Sequence, residues 1–454
     1  DRLNFSSLYT MFSQQFYALG GGSLGLTPGD ALLVYLSVYR YADACESTPT
    51  KVRENLARLW DEVKILAEPH AVELLLEPKQ SSEPLLSKLN IFSSRPSELR
   101  VVFLHEHNAQ TSAWVRGQDK GRAALVKAFP DKLYVSCREN VNPEVDAEQV
   151  LEEVAHDHAD IVFTTSARMH TACLKVAAQH PKTRFLNCSL NAPHPLVRTY
   201  YPRTYEVTYL LGMLAGVLTK TDRVGYVADT PTFGVPANIN AFALGARMVN
   251  PRVKVSLQWS CLPGDPIQAF QKQGITVVSG RDTPTPFRPA REFGTFRISP
   301  GGTLMDLASP FWHWGQFYEN VVRTVLDGGW TRDKSGTDGT AVNYWWGMNS
   351  GVMDVLLSRE LPHDVRHLAN ILRSGIIAGS IDPFACYITA QNGTVMNEGR
   401  TGFTPEQILH MDWLCDAVEG HLPEFDELID CARPMYRMQG IHRDRLPAEK
   451  EADL

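Results

Sequence analysis

From Leu99 onward, short β-branched runs alternate with stretches of helical period. "LRVVFLH", "KLYVSC", "DIVFTTS" and "RFLNCSL" read as buried strands, with "GRAALVKAF", "AEQVLEEVAHDH" and "ARMHTACLKVAAQH" as the helices between them. Such alternation predicts a parallel sheet covered by helices. A second series follows Thr221, with "RVGYVAD", "KVSLQWS" and "ITVVSG" around the helical "ANINAFALGARMVN". Two sheets in series predict two lobes with a cleft between them.

The flanks have a different rhythm. Residues 1–95 read as a helical region that ends in a polar, Pro/Ser-rich linker; "TPTKVRENLARLWDEVKIL" has a Thr cap and apolar residues at helical spacing. Continuous apolar faces predict that this region packs on the two-lobed core. Residues 386–454 read as a C-terminal helical extension. "GGGSLG" (Gly20 to Gly25) matches a dinucleotide fingerprint and a nucleophile elbow, but both motifs require a preceding strand and a helix precedes these glycines. A helix-ending glycine loop is the simpler reading.

Composition narrows the function. The chain has 454 residues, 44% hydrophobic and 21% charged, with a net charge of −7 and the two signs interspersed. Nothing in that balance points to nucleic acid or anionic lipid. The eight cysteines form no C-x-x-C pair, which fits reduced thiols in a cytoplasmic setting. The most apolar run, Tyr209 to Thr219, falls far short of the roughly 20 residues of a membrane span. A removed N-terminal segment would instead place the chain outside the cytoplasm as an anchored protein.

The richest chemistry sits at strand ends. "VVFLHEHNAQTSAW" runs from an apolar strand into His105, Glu106 and His107 and ends at Trp114. Ligands bind at the carboxyl ends of parallel strands, so a pocket wall is expected there. His105 and His107 have the spacing of zinc ligands on a strand, but a third ligand is not apparent nearby, and no metal or other cofactor is expected. Aromatic residues gather at similar positions, among them Tyr200, Tyr201, Tyr205, Phe233, Trp312, Trp314, Trp345 and Trp346, where rings stack on a planar ligand or fill the core between lobes.

The stretch from Tyr200 to Val255, with "LLGMLAGVLTKT", "RVGYVAD", "INAFALGA" and "VNPRVKV", resembles the basic membrane protein (BMP) family of substrate-binding proteins. That family carries FLAGxLAGxxTKT, KVGFVG, INGFxxGA and VNPxVKV in the same order. The resemblance extends over residues 98 to 385. It implies a periplasmic-binding-protein type I fold, with two Rossmann-like α/β lobes joined by three crossovers. Lobe I is then expected at 96–219, completed by about 303–330, and lobe II at 220–302, completed by about 331–385.

The best-understood members of that family bind purine nucleosides, so the resemblance implies a nucleoside-like ligand in the cleft. It places Trp114 at the family's base-stacking Phe and turns Asp282 toward the cleft. Thr165, Ser166 and Met169 after one strand, and Tyr201, Phe233, Trp312 and Trp314 elsewhere, complete the expected lining. The family's ribose-binding carboxylate has no counterpart in "GTFRISPGG", which leaves Asp229 and Asp282 as candidates. The leading reading is binding without catalysis, as a transporter-type substrate-binding protein or a cytosolic sensor. A nucleoside-processing enzyme is a second, and a protein-interaction module acting through the helical extensions a third.

Overall fold

The computed structural model describes residues 72–78, 98–190, 194–280, 293–330 and 340–442. The expected N-terminal helices, the "GGGSLG" loop and Asp282 lie outside the described residues.

Two seven-stranded sheets form the frame. The first holds β1 (Val72–Leu75), β2 (Leu99–Leu104), β3 (Leu133–Arg138), β4 (Ile161–Thr164), β5 (Arg184–Asn187), β6 (Val197–Pro202) and β12 (Ala341–Trp346). Their order is β1-β12-β6-β5-β4-β2-β3, and each neighbouring pair is parallel. The second holds β7 (Arg223–Ala228), β8 (Lys254–Trp259), β9 (Val277–Gly280), β10 (Gly294–Ile298), β11 (Leu304–Trp312), β13 (Met353–Leu357) and β16 (Val418–Glu419), in the order β13-β11-β10-β9-β7-β8-β16. Each lobe therefore reverses strand order beside its first core strand, β2 or β7, and such a reversal opens a crevice at the carboxyl ends. The fold is the α/β, periplasmic-binding-protein type I arrangement.

Of the covering helices, α1 (Ala113–Ala128), α2 (Ala147–His156) and α3 (His170–Gln179) flank the first sheet, whereas α4 (Thr204–Leu218), α5 (Val235–Val249) and α6 (Pro266–Lys272) belong to the second lobe. The glycines of "LLGMLAG" and "FALGA" have a steric cause. A Cβ on Gly212 would run into the carbonyl oxygen of Phe242, and one on Gly245 into that of Tyr209. The backbones of α4 and α5 thus touch, and most of both helices is buried.

Among the described residues the chain passes between the sheets three times: from β6 to β7, from β11 to β12 and from β12 to β13. The first and last passages are tied together. The Arg203 N–H donates to Trp346 O at 2.8 Å, and the Met348 N–H donates to Glu206 Oε2 at 2.7 Å. Glu206 also pairs with Arg203 at 3.1 Å. Burial pushes the Glu206 carboxyl above its ordinary range, opposed by Arg203 and by the Met348 amide.

Three expectations about the division of the chain need correction. Val72–Leu75 lies in the stretch read as helix and linker, yet it is a strand paired with β12, Val72 opposite Ala341. Four residues are too few for a helix but enough to complete a sheet edge. Second, residues 303–330 do not all return to lobe I: β11 joins the second sheet, whereas α7 (Trp314–Leu326) packs on α1. Conversely, β12, from the stretch assigned to lobe II, enters the first sheet; β13 and the helix α8 (His363–Ile377) stay with the second lobe.

Third, the C-terminal segment is not a helical extension. It forms a hairpin, β14 (Tyr387–Thr389) and β15 (Val395–Glu398), then two short helices, α9 (Pro405–Leu409) and α10 (Arg433–Gln439), with β16 between them. Its apolar side chains, Leu414, Val418 and Tyr436 among them, join the main core, so the amphipathic pattern serves the second lobe.

Candidate functional site

Between the lobes lies a cleft with ≈ 1010 Å³ of space, its open mouth included. The first lobe lines it entirely from strand ends and the segments that follow them. Glu106 and His107 follow β2, Thr165 and Ser166 follow β4, Cys188 and Leu190 follow β5, and Tyr201 stands at the end of β6. Ser112, Trp114 and Val115 open α1, where the Ser112 hydroxyl accepts from the Val115 N–H at 3.3 Å and caps the helix.

Trp114 is held from behind. Its indole N–H donates to Thr165 O at 2.9 Å, and Trp312 and Trp314 meet it edge-on at centroid distances of 5.1 and 5.9 Å. Tyr201 lies tilted beside it at 5.8 Å. Trp114 is only 5% exposed, so it belongs to the core as well as to the cleft wall.

Glu106 is fixed by two charge-assisted contacts. Ser166 Oγ donates to its Oε2 and Arg168 Nη1 to its Oε1, each at 2.6 Å, while Arg168 also reaches Glu144 at 2.6 Å. His105 does not face the cleft. It is fully buried, its Nδ1 lies 2.9 Å from Thr165 Oγ1, and its pKa falls from 6.5 to about 4 because burial disfavours the cation, with Asp119 opposing and Arg122 assisting. His107, in contrast, lines the cleft. The two histidines therefore do not share a side, because β2 ends at Leu104 before the alternation reaches them. Among the described residues no group of three or more His, Cys, Asp or Glu is placed to hold a metal.

The second lobe supplies Asp229, Thr230 and Phe233 after β7, Asn238 in the first turn of α5, and Phe293 before β10. Asp229 is 1% exposed and accepts from Ser260 Oγ at 2.7 Å. Thr204 and Tyr205 at the start of α4 and Trp345 near the end of β12 add to the lining, and α10 adds Met435 and Gln439.

Of the expected lining, the structure brings together Glu106, His107, Trp114, Thr165, Ser166, Tyr201, Asp229 and Phe233. It withdraws His105 into the sheet, Met169 into the core under α3, and Trp312 and Trp314 into the layer behind Trp114. The cause of the last is small residues on α1: the Trp312 side chain lies against Gly117 and that of Trp314 against Gly121. Asn238, Phe293, Met435 and Gln439 escape the sequence reading. Asn238 had a usable signal, a polar residue one turn into a helix that follows a strand end. The other three had none, since their register relative to the cleft is tertiary.

Parts of this chain are similar to known proteins. Residues 99–265 match the family model described as ABC transporter substrate-binding protein PnrA-like, the Bmp family. A purine-binding protein of Brucella abortus is 27% identical over 340 residues, covering 72% of this chain and 95% of its own length. Residues 99–265 of this chain are thus similar to the BMP family. A Haloferax volcanii protein named as an ABC transporter glucose-binding protein is 30% identical over 252 residues, covering 53% of this chain and 62% of its own. A solved ABC transporter solute-binding protein from Conexibacter woesei superposes with a TM-score of 0.46 at 16% identity, covering 63% of this chain and 98% of its own. The family-model match runs from β2 through β8, and the C-terminal segment that reaches the cleft lies beyond it.

Proposed function

We propose that this BMP-family protein binds a small planar ligand, a purine nucleoside or nucleobase, between its lobes without transforming it. The observation that carries the reading is the pairing of aromatic walls, Trp114 and Tyr201 on one lobe with Phe233 and Phe293 on the other, around a few buried polar groups. Such a mixture of apolar wall and sparse polar anchors is what a pocket for a flat heterocycle requires. The relatedness to the Brucella purine-binding protein supports the same class. Asp229, held by Ser260, is the carboxylate we assign to ligand hydroxyls, in place of the one missing from "GTFRISPGG".

Catalysis is disfavoured by how the reactive groups are held. Glu106 is engaged by Arg168 and Ser166. Burial pushes the Cys188 thiol well above its ordinary pKa and raises the Tyr205 phenol, with Glu206 adding to the latter. A neutral buried thiol is a poor nucleophile.

The described cysteines carry free thiols; a sensor role stands beside the transporter-receptor role in this proposal. No helix among the described residues is long and apolar enough to cross a membrane. A protein partner, reached through the N- and C-terminal segments, remains part of the proposal.

Calorimetric titration with inosine, adenosine, guanosine, hypoxanthine and glucose tests the reading. Purine binding is expected, and ligand at 100 times its dissociation constant then raises stability by about 2.7 kcal/mol. Binding of glucose alone, as the name of the Haloferax relative suggests for that protein, overturns the purine assignment; release of free base from a nucleoside overturns the non-enzymatic one.

A further inference from the structure

The C-terminal helix α10 lies where a lid would, but it is part of the wall. The loop after β7 holds it by backbone bonds: the Phe233 N–H donates to Gln439 O at 3.0 Å, and the Ile441 N–H to Pro231 O at 3.1 Å. Thr232 bridges Gly440 as a short antiparallel pair. From that anchorage on lobe II, α10 also touches the Ala167–Met169 turn of lobe I. It therefore spans the cleft from one lobe to the other.

Two of its side chains enter the lining, Met435 and Gln439, one helical turn apart and so on one face. Gln439 is 5% exposed, and its Nε2 has no hydrogen-bond partner among the described residues. A buried amide N–H without an acceptor is costly, and native proteins rarely leave one unless something else supplies the acceptor. The cleft it lines is open to supply one.

We infer that Gln439 is a specificity-determining residue, whose amide N–H donates to an acceptor on the ring edge of the bound ligand while Met435 packs against the same ring. The inference rests on the cleft reading above and adds what that reading leaves open: the ligand turns a ring nitrogen or carbonyl oxygen, not an N–H or a methyl group, toward α10. A 6-oxopurine offers both acceptors on one edge.

The test uses the full chain, inosine as probe, and the variant Gln439→Met, which keeps length and burial but cannot donate. Inosine affinity is expected to fall about 10- to 100-fold. The ligand-free melting temperature is expected to hold or rise, because an unmet buried donor has been removed. Gln439→Glu, of the same size and also unable to donate through an amide, should lose inosine as well. Unchanged inosine affinity in Gln439→Met overturns the inference and leaves the cleft reading standing. A ligand-free melt that drops in both variants assigns Gln439 to structure and overturns it too. Absence of inosine, adenosine and hypoxanthine binding in the unaltered chain overturns the cleft reading and this inference with it.

Discussion

Trp114→Ala separates wall from core. A residue held only for stacking loses little stability on truncation, whereas Trp114 is 5% exposed, donates to Thr165 O and meets three aromatic neighbours. Truncating such a side chain costs about 3 to 5 kcal/mol, and the cavity sits where Trp312 and Trp314 rest, so collapse is restricted by both lobes. The Thr165 carbonyl also loses its donor, which adds about 1 kcal/mol if water does not replace it. Trp114→Phe keeps a ring in place and loses the indole donor, so it should cost clearly less than the Ala variant. For ligand, the stacking contribution is about 1 to 3 kcal/mol per base, most of which a Phe retains. Urea denaturation of the ligand-free chain and titration with inosine, performed on both variants, give the two quantities. An Ala variant within about 1 kcal/mol of the unaltered chain would refute the placement of Trp114 in the core.

Two further outcomes follow from buried groups. His105 is neutral when folded, with its pKa lowered to about 4 against an ordinary 6.5, so the unfolded chain binds the extra proton first. The contribution is therefore complete above pH 6.5 and is lost as pH falls toward 4, a change of about 3 kcal/mol; His105→Gln should flatten that part of the stability profile, and parallel profiles for the two proteins count against the burial. Gly212→Ala gains up to about 1 kcal/mol of helix propensity but forces a Cβ onto the Phe242 carbonyl, an overpacking that costs typically 1 to 3 kcal/mol or more. A lowered thermal midpoint is expected; a raised one would mean that α4 and α5 do not touch there.

What the sequence determined by itself was local in character. Strands buried on both faces leave continuous apolar runs, so β2, β4 and β5 could be read from "VVFL", "IVFT" and "RFLN" without neighbours. The glycine pattern of α4 and α5 was legible because close helix contact admits only small residues at fixed spacing. Strand-end polar residues such as Glu106, Ser166 and Asp229 were legible because parallel sheets place them on one rim. Tertiary structure decided the rest. β11 and β12 follow one another along the chain, yet they enter different sheets: β11 pairs antiparallel with its sequence neighbour β10, whereas β12 lies parallel between β1 and β6, strands remote from it in sequence. His105 and His107 are two residues apart, but one is buried and the other lines the cleft, because the strand ends before either. Trp312 and Trp314 carry the same chemistry as Trp114 and stand behind it only because Gly117 and Gly121 of α1 make room. The amphipathic C-terminal segment records that it buries one face without recording against what; that Val418 extends the second sheet and Gln439 closes the cleft depends on contacts across more than 160 residues of chain, which no local pattern encodes.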